Sequence, residues 1–343
     1  MTDHGRLPAE LQREVHATVE QTRSRSGWSG KRTLGALGIS RGTYYRWLKE
    51  EAWAQEKKGE LRPVQAFEAL PEERVMVIEY ARQHPEIRHR ELAWRMVDEE
   101  VAYLSPSTVY RILREADLMH RLRGRKKRYR EEIEKATRPD ERWGTDLMYV
   151  KVHNVPYYYL AFIDEYSRYI VHWELLASMD GHSLTVASQA ALERLPRDAA
   201  GKLLVKPEIR SDNGSGYLSK EFHGLLEYHG LVHLRIKPHC PEENGIVERA
   251  NRTVREALEG VGEELENRYQ AEDVLGRLIR WYNEERLHSS LGFLRPVDYY
   301  RGNPVVLHEA RRQKLAEARH RRRERNLQLR QPTLPLEAGL PCS

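Results

Sequence analysis

"RWGTDLMYVKV" (142–152) is where the chain changes its grammar. Upstream the apolar residues recur at helical spacing; here the pattern turns strand-like, and it stays so beyond the "HNV" turn at 153–155. "PYYYLAFIDEYSRYIVHWEL" (156–175) is rich in Tyr, Ile, Val and Phe and breaks near Asp164–Ser167, which predicts two further strands. "GHSLTVASQAALERL" (181–195) predicts an amphipathic helix, "KPEIRSD" (206–212) a short strand, and "SKEFHGLLEYHG" (219–230) a helix closed by Gly230. "LVHLRIK" (231–237) reads as a last strand, and "GIVERANRTVREALEGV" (245–261) as a long helix after the loop 238–244. Three strands followed by alternating helices and strands make one mixed α/β domain with a five-stranded sheet.

Upstream lie two helical modules. In "GKRTLGALGISRGTYYRWLKE" (30–50), Leu34, Leu37 and Ile39 precede Ser40, a good N-cap, and Tyr44, Trp47 and Leu48 follow at helical spacing. A helix, a turn at Gly38 and a capped second helix carrying Arg41, Thr43 and Arg46 outward give a helix-turn-helix. An ordinary helical hairpin fits this stretch equally. The same grammar returns in "RHRELAWRMVDEEVAYLSPSTVYRILREADL" (88–118), with Ser105 as N-cap and Pro106 at the first helical position. Val109, Ile112, Leu113 and Ala116 form its apolar stripe, leaving Ser107, Thr108 and Arg111 where a recognition helix meets DNA. Two such units in tandem favour DNA reading over two chance hairpins. The expected organisation is a first module at 1–56, a linker at 57–73, a second module at 74–118, a basic linker at 119–137, the α/β domain at 138–302, and a basic helical, then disordered tail at 303–343.

Composition agrees. The 343 residues carry a net charge of +5, a weak argument for a polyanion partner, but the basic residues are clustered. "HRLRGRKKRYR" (120–130) and "ARHRRRERNLQLR" (318–330) are the marks of an arm or tail facing nucleic acid, with Arg125, Lys126, Lys127 and Arg128 placed to track a phosphate backbone. No apolar run approaches the roughly 20 residues of a membrane span, and the N-terminus lacks the apolar core of a secretory signal. The two cysteines, Cys240 and Cys342, exclude a disulfide framework, and His239 with Cys240 cannot by themselves complete a tetrahedral zinc site. A reducing, cytoplasmic setting, associated with the nucleoid, is the expectation.

Three carboxylates stand out by position: Asp146 within a strand, Asp212 at a strand end beside the Asn213-Gly214 and Ser215-Gly216 turn, and Glu248 near the start of the long helix. An acid inside a strand pattern is disfavoured and costly to bury unpaired, and a cation shared by several carboxylates explains it economically. Asp212 and Asn213 also make good turn residues, and Glu248 with Arg252 is also an ordinary i,i+4 pair. Glu248, Asn251, Arg252 and Arg255 recur at spacings that share one helix face, beside an apolar stripe of Val247, Ala250, Val254 and Leu258. A carboxylate in line with two arginines suits phosphate chemistry.

"TDLMYV", "RSDNGSGYLSKEF" and "PEENGIVERANRTVREAL" resemble the three motifs of the retroviral-integrase-like catalytic core, most closely that of bacterial insertion-sequence transposases of the Asp-Asp-Glu class. Thirty-five residues separate Asp212 from Glu248, the spacing typical of that family, and Arg255 stands seven positions after the glutamate, where many relatives carry lysine. "WYNEERLHSSLGFLRPVDYY" (281–300) is similar to the family's core-end signature. The resemblance covers 138–302 strongly and the helical front end loosely. It implies a ribonuclease-H-like fold in which Asp146, Asp212 and Glu248 are catalytic and bind two Mg²⁺ (or Mn²⁺) ions, with Arg255 and Arg252 on DNA phosphate. It implies end cleavage followed by joining of the freed 3′-hydroxyl to target DNA, with element ends and target as double-stranded DNA partners. It further implies a homo-oligomer, at least a dimer on DNA, with an accessory ATPase as a further candidate partner of the basic helix at 305–330. The zinc-binding N-terminal His/Cys module of viral integrases is not available to two such late cysteines, which favours the bacterial group. Asp164 in "FIDEYSR", His288 and Ser289 are expected to be structural. Two alternatives stay open: a nuclease of the same fold that cuts without joining, and a DNA-binding regulator with an inactive core.

Overall fold

The computed structural model describes residues 9–48, 65–119, 135–236, 244–262 and 265–330. Arg125, Lys126, Lys127, Arg128, His239, Cys240 and Cys342 lie outside the described residues. The chain divides into two compact units, Met1–Glu68 with Arg322–Ser343, and Ala69–Arg321.

In the first unit, α1 (Ala9–Ser26), α2 (Gly30–Ala36) and helical residues 41–48 (α3) enclose a small core of Val19, Leu34 and Tyr44. Gly38 has φ +68°, and the Ile39 amide bonds back to Leu34 O, so the chain leaves α2 through a left-handed residue that glycine adopts at least cost. Ser40 caps α3 through the Thr43 amide at 3.1 Å. Arg41 and Arg46 are exposed, whereas Thr43 is half-buried with its hydroxyl on Ser40 Oγ at 2.7 Å.

The second unit begins with α4 (Pro71–Gln83), α5 (His89–Asp98) and α6 (Pro106–Glu115). Helix α4 starts inside the stretch expected to be linker, because Glu73 reaches back to the Leu70 amide at 2.9 Å and Pro71 presets the first turn. Val77, Leu92, Met96, Val109, Ile112 and Leu113 fill the core between the three helices. Ser105 caps α6 by accepting from the Thr108 amide, and its hydroxyl also meets Ser107 Oγ at 2.9 Å and Thr108 Oγ1 at 3.0 Å. Ser107 and Arg111 are exposed; Thr108 is half-buried and accepts from Arg111 Nη2 at 3.3 Å.

The α/β domain is a five-stranded sheet in the order β3-β2-β1-β4-β5. Strands β1 (Arg142–Val152), β2 (Val155–Asp164) and β3 (Ile170–Leu176) are antiparallel, and β4 (Glu208–Ser211) and β5 (His233–Arg235) add in parallel beside β1. Both faces are covered. Tyr159, Ala161 and Ile163 of β2 bury against α9 (Gly245–Val261) and α10 (Arg268–Glu284), while Leu160 and Phe162 face α7 (Gly181–Leu192) and α8 (Lys220–His229). That double burial is why β2 reads as a continuous apolar run rather than an alternating one. This mixed sheet with helices on both faces is the ribonuclease-H-like architecture expected above.

The core-end signature closes this domain. Asn283 accepts from the Ile170 amide at 2.9 Å and donates to Ile170 O at 3.0 Å, which satisfies the buried start of the edge strand β3. Beyond the 3₁₀ turn Ser289–Leu291, α11 (Pro296–Tyr300) returns Tyr300 to Asp140 at 2.9 Å and stacks it on Tyr169 at 4.5 Å. His288 is buried beside Tyr282 and accepts from Arg286 Nη1 at 2.9 Å. Burial, aided by Arg286 and Arg168, pushes its imidazole down to about 3. The unfolded chain therefore takes up a proton near pH 6.5 that the folded chain refuses, so this residue costs stability as pH falls from there toward 3. Thermal melts of His288→Gln between pH 7 and pH 4 are expected to lose less stability on acidification than the parent; equal slopes would show that the imidazole stays neutral for another reason.

Among the described residues no helix is long and apolar enough to cross a membrane. Helix α12 (Pro304–Arg330) completes the described chain.

Candidate active site

Side chains alternate along β1, so positions 144, 146, 148, 150 and 152 share one face. Met148, Val150 and Val152 bury in the core beneath α9 and α10, and Asp146 takes the next place in that apolar row. It is the mismatch visible in the sequence, and the fold explains what the carboxylate meets there. Its Oδ1 accepts from the Leu147 amide at 2.9 Å, and its Oδ2 from Asn251 Nδ2 on α9 at 3.1 Å.

Asp212 arrives from the neighbouring strand. β4 pairs with β1 in parallel through Arg142↔Glu208, Trp143↔Ile209 and Gly144↔Arg210. Two residues further along each chain come Asp146, still within β1, and Asp212, just past the end of β4. Asp212 Oδ1 accepts from the Gly214 amide at 2.9 Å, and Asn213 Nδ2 donates to Ile236 O at 2.9 Å, which ties the turn to the end of β5. The turn chemistry and the strand-end position are thus both true of this aspartate. Gly214 is half-buried, whereas Gly216 is buried, and a Cβ there would come within 2.9 Å of Met179 O. Its smallness serves internal packing.

Glu248 comes from the third direction. Val247, Ala250 and Val254 bury one side of α9 in the sheet core and leave Glu248, Arg252 and Arg255 exposed. Asn251, grouped with those arginines from its spacing, is instead buried on Asp146. The approach of α9 depends on Gly144, where a Cβ would lie 2.4 Å from Val247 Cγ2. A glycine inside a strand pattern marks such a close approach, and that signal was readable in the sequence.

The electrostatics register this convergence. The Asp146 carboxyl is pushed up to about 6, first by burial, then by the negative charge of Asp212 and to a smaller extent that of Glu248, against the hydrogen bonds from Leu147 and Asn251. Beneath them lies Tyr217, fully buried, its hydroxyl 3.0 Å from Thr145 Oγ1. Burial pushes its phenol well up, and the charges of Asp146 and Asp212 push it the same way. Neither hydroxyl was singled out in the sequence, since Thr and Tyr are ordinary strand and core residues.

Asp164 belongs to a different structure. It is completely buried at the β2–β3 turn and accepts from the Asp140 amide at 2.8 Å and the Ser167 amide at 2.7 Å. Next to it Glu165 engages Arg210 Nη1 through both oxygens at 2.9 and 3.0 Å, and Arg142 at 3.8 Å. These form a buried ion network behind the sheet edge.

Asp146, Asp212 and Glu248 offer hard oxygen donors, a set that suits Mg²⁺ or Mn²⁺ rather than a thiolate-preferring metal. The buried Oδ1 of Asn251 has no hydrogen-bond partner, a further oxygen next to Asp146. Among the described residues, no three His, Cys, Asp or Glu side chains yet converge closely enough to grip an ion. Asp212 is turned toward the Gly214 amide and Glu248 lies exposed, the arrangement expected of carboxylates that repel one another.

Comparison with known proteins agrees with this architecture. Two signatures of the Integrase core domain match, at residues 136–241 and 229–296. An uncharacterized 39.2 kDa protein of insertion element IS476 from Xanthomonas euvesicatoria is 27% identical over 244 residues, 69% of this chain and 66% of that protein. The transposase of insertion sequence element IS904 from Lactococcus lactis is 27% identical over 179 residues, 50% of this chain and 66% of that protein. The chain thus spans just under two thirds of the length of these relatives. The HTLV-2 integrase catalytic core domain, solved in complex with magnesium in a trimeric form, superposes with a TM-score of 0.38 at 18% identity, over 48% of this chain and 97% of that one. With an integrase core matched across the sheet, α9 and α10, and insertion-element proteins as relatives over a longer stretch, the chain carries an Integrase core domain and is similar to insertion-sequence transposases.

Proposed function

We propose that the protein binds the ends of its own element, cleaves their 3′ ends, and joins the freed 3′-hydroxyl to target DNA, acting as at least a dimer so that two ends are paired. The observation that carries this is the Asp146 carboxyl, raised to about 6 where β1, the end of β4 and α9 meet, with Asp212 and Glu248 as its charged neighbours. A buried acid whose charge is disfavoured by two neighbouring acids is one that a cation would relieve. Asp146, Asp212 and Glu248 would hold Mg²⁺ or Mn²⁺, which when bound activates the attacking oxygen and stabilises the leaving one.

The rest is the work of the chain itself. Asn251 and the Leu147 amide fix both oxygens of Asp146, so its orientation is set before any ligand arrives. The Asx turn at Asp212–Gly214 does the same for the second acid. Arg252 and Arg255, one turn and two turns beyond Glu248, present guanidinium groups to the phosphates flanking the scissile bond. Arg41 and Arg46 on α3, and Ser107 and Arg111 on α6, are the exposed positions for reading the element end. Thr43 and Thr108, with hydroxyls engaged in the caps, orient those helices instead.

The test is strand transfer in vitro with element-end duplexes, a plasmid target and Mg²⁺, run beside Asp212→Asn. Joined products that disappear in the variant are expected. Nicking without joining would identify a nuclease, and specific end binding with no cutting in Mg²⁺ or Mn²⁺ would identify a regulator.

A further inference from the structure

Arg311, on the second turn of α12, is an unusual residue for the start of a basic tail: it is only 4% exposed. A guanidinium cannot shed its charge, so a buried one must be satisfied completely by its surroundings. Here Nε and Nη2 grip the two oxygens of Asp98 at 2.8 and 2.5 Å, while Nη1 donates to Gly292 O at 3.0 Å and Nη2 to Phe293 O at 2.8 Å. The guanidinium also lies 5.0 Å from the ring centroid of Trp94. Asp98 and Trp94 belong to α5 of the second helical module, and Gly292–Phe293 form the turn of the core-end signature. Both turn residues are left-handed, with φ near +60°, and a Cβ on Gly292 would lie 2.6 Å from His308 of α12. The turn is therefore shaped to take α12 and to aim two carbonyls at one arginine.

The clamp continues along the module. Lys314 Nζ bonds Glu100 Oε1 at 2.9 Å, and the Arg321 guanidinium lies 5.9 Å over the Tyr103 ring. Asp98, Glu100 and Tyr103 bracket the turn between α5 and α6, and α6 begins three residues after Tyr103. The element that presents Ser107 and Arg111 is thus held against the catalytic domain through one helix face.

We propose that Arg311 is a positioning residue that sets the distance between the DNA sequence read by α6 and the phosphodiester placed at Asp146, Asp212 and Glu248, and so fixes where the element end is cut. This rests on the DNA-cutting reading above. A reader and a cutter on independent tethers would let the scissile bond wander by a nucleotide or more, whereas a multidentate, non-titrating clamp holds it in register. Lysine, a single point charge, cannot reproduce a grip on one carboxylate and two carbonyls.

The experiment compares the full chain with Arg311→Ala, Arg311→Lys and the milder Asp98→Asn. Spin labels on α6 and α7 report the module-to-core distance without DNA, and end cleavage is mapped at nucleotide resolution. A narrow distance distribution in the parent that broadens in Arg311→Ala is expected. Affinity for end DNA should change by no more than about twofold, while cutting at the correct bond falls about 10- to 100-fold and neighbouring bonds are cut. Arg311→Lys should fall between, and Asp98→Asn should shift in the same direction if the alanine variant does not fold. Unchanged distances, or a single cut position at the parental rate in all variants, would overturn the proposal. A parent with the narrow distribution but no cutting would instead overturn the DNA-cutting reading and leave the clamp standing as a structural tie.

Discussion

Asp146→Asn is expected to melt at a higher temperature than the parent in chelator and to form no joined DNA product in Mg²⁺. The reason is the conflict at this carboxylate. Its pKa is raised from 3.8 to about 6 by burial and by Asp212 and Glu248, so above pH 6 the folded state carries a charge that it would rather not hold. Between pH 6 and 3.8 the folded chain binds a proton that the unfolded chain has released, so stability is regained as pH falls through that window. At pH 7.5 the full cost is present, about 2–3 kcal/mol for a shift of this size, and asparagine removes it while keeping an oxygen for the Leu147 amide. A rise of about 4–12 °C in metal-free Tm is the corresponding expectation for a domain of this size. In Mg²⁺ the order of stabilities should reverse or close, and joining should fall by about 10³-fold or more, the several kcal/mol that a bound cation contributes. A variant that melts at or below the parent in chelator would mean that the acids are not held in mutual repulsion; one that still joins DNA would remove Asp146 from the chemistry.

Gly144→Ala is expected to damage activity without touching any of the three acids. The added methyl falls 2.4 Å from Val247 Cγ2, deep between β1 and α9, where nothing soft is available to yield. Over-packing of this kind costs about 1–3 kcal/mol. The relief available is a shift of α9, which carries Glu248 one residue beyond Val247 and Asn251 one turn further. A displacement of that order at a reacting centre lowers the rate about 10- to 100-fold. Val247→Ala removes the opposing methyl and should restore a large part of the activity to Gly144→Ala, although by itself it weakens the core. Stability and rate measured for both single variants and the double variant decide this. Simple additivity would show that the two residues are not coupled and that α9 is placed by other contacts.

Much of the fold was legible because the signals are local. Runs rich in β-branched and aromatic residues gave the strands, the apolar stripe of α9 gave its buried side, and Gly230 at φ +62° and Ser105 on the Thr108 amide are end signals that work within a turn of the chain. Asp146 was conspicuous for the same reason, as an acid in an apolar row. Asn251 was misread because spacing on a helical wheel separates faces by tens of degrees, and it sits at the boundary between the stripe and the exposed arginines.

Local pattern was enough to mark the helices and strands, two helical modules ahead of an α/β domain, and three acids out of place in their surroundings. Those are statements about residues two to seven apart. It took the assembled fold to show that parallel pairing of β1 with β4 brings Asp212 beside Asp146, that Gly144 admits α9, and that Arg311 joins α5 to the 292–293 turn. These pairings link residues from 18 to 213 positions apart. Their geometry is fixed by register and by the packing of whole elements, which no local period encodes.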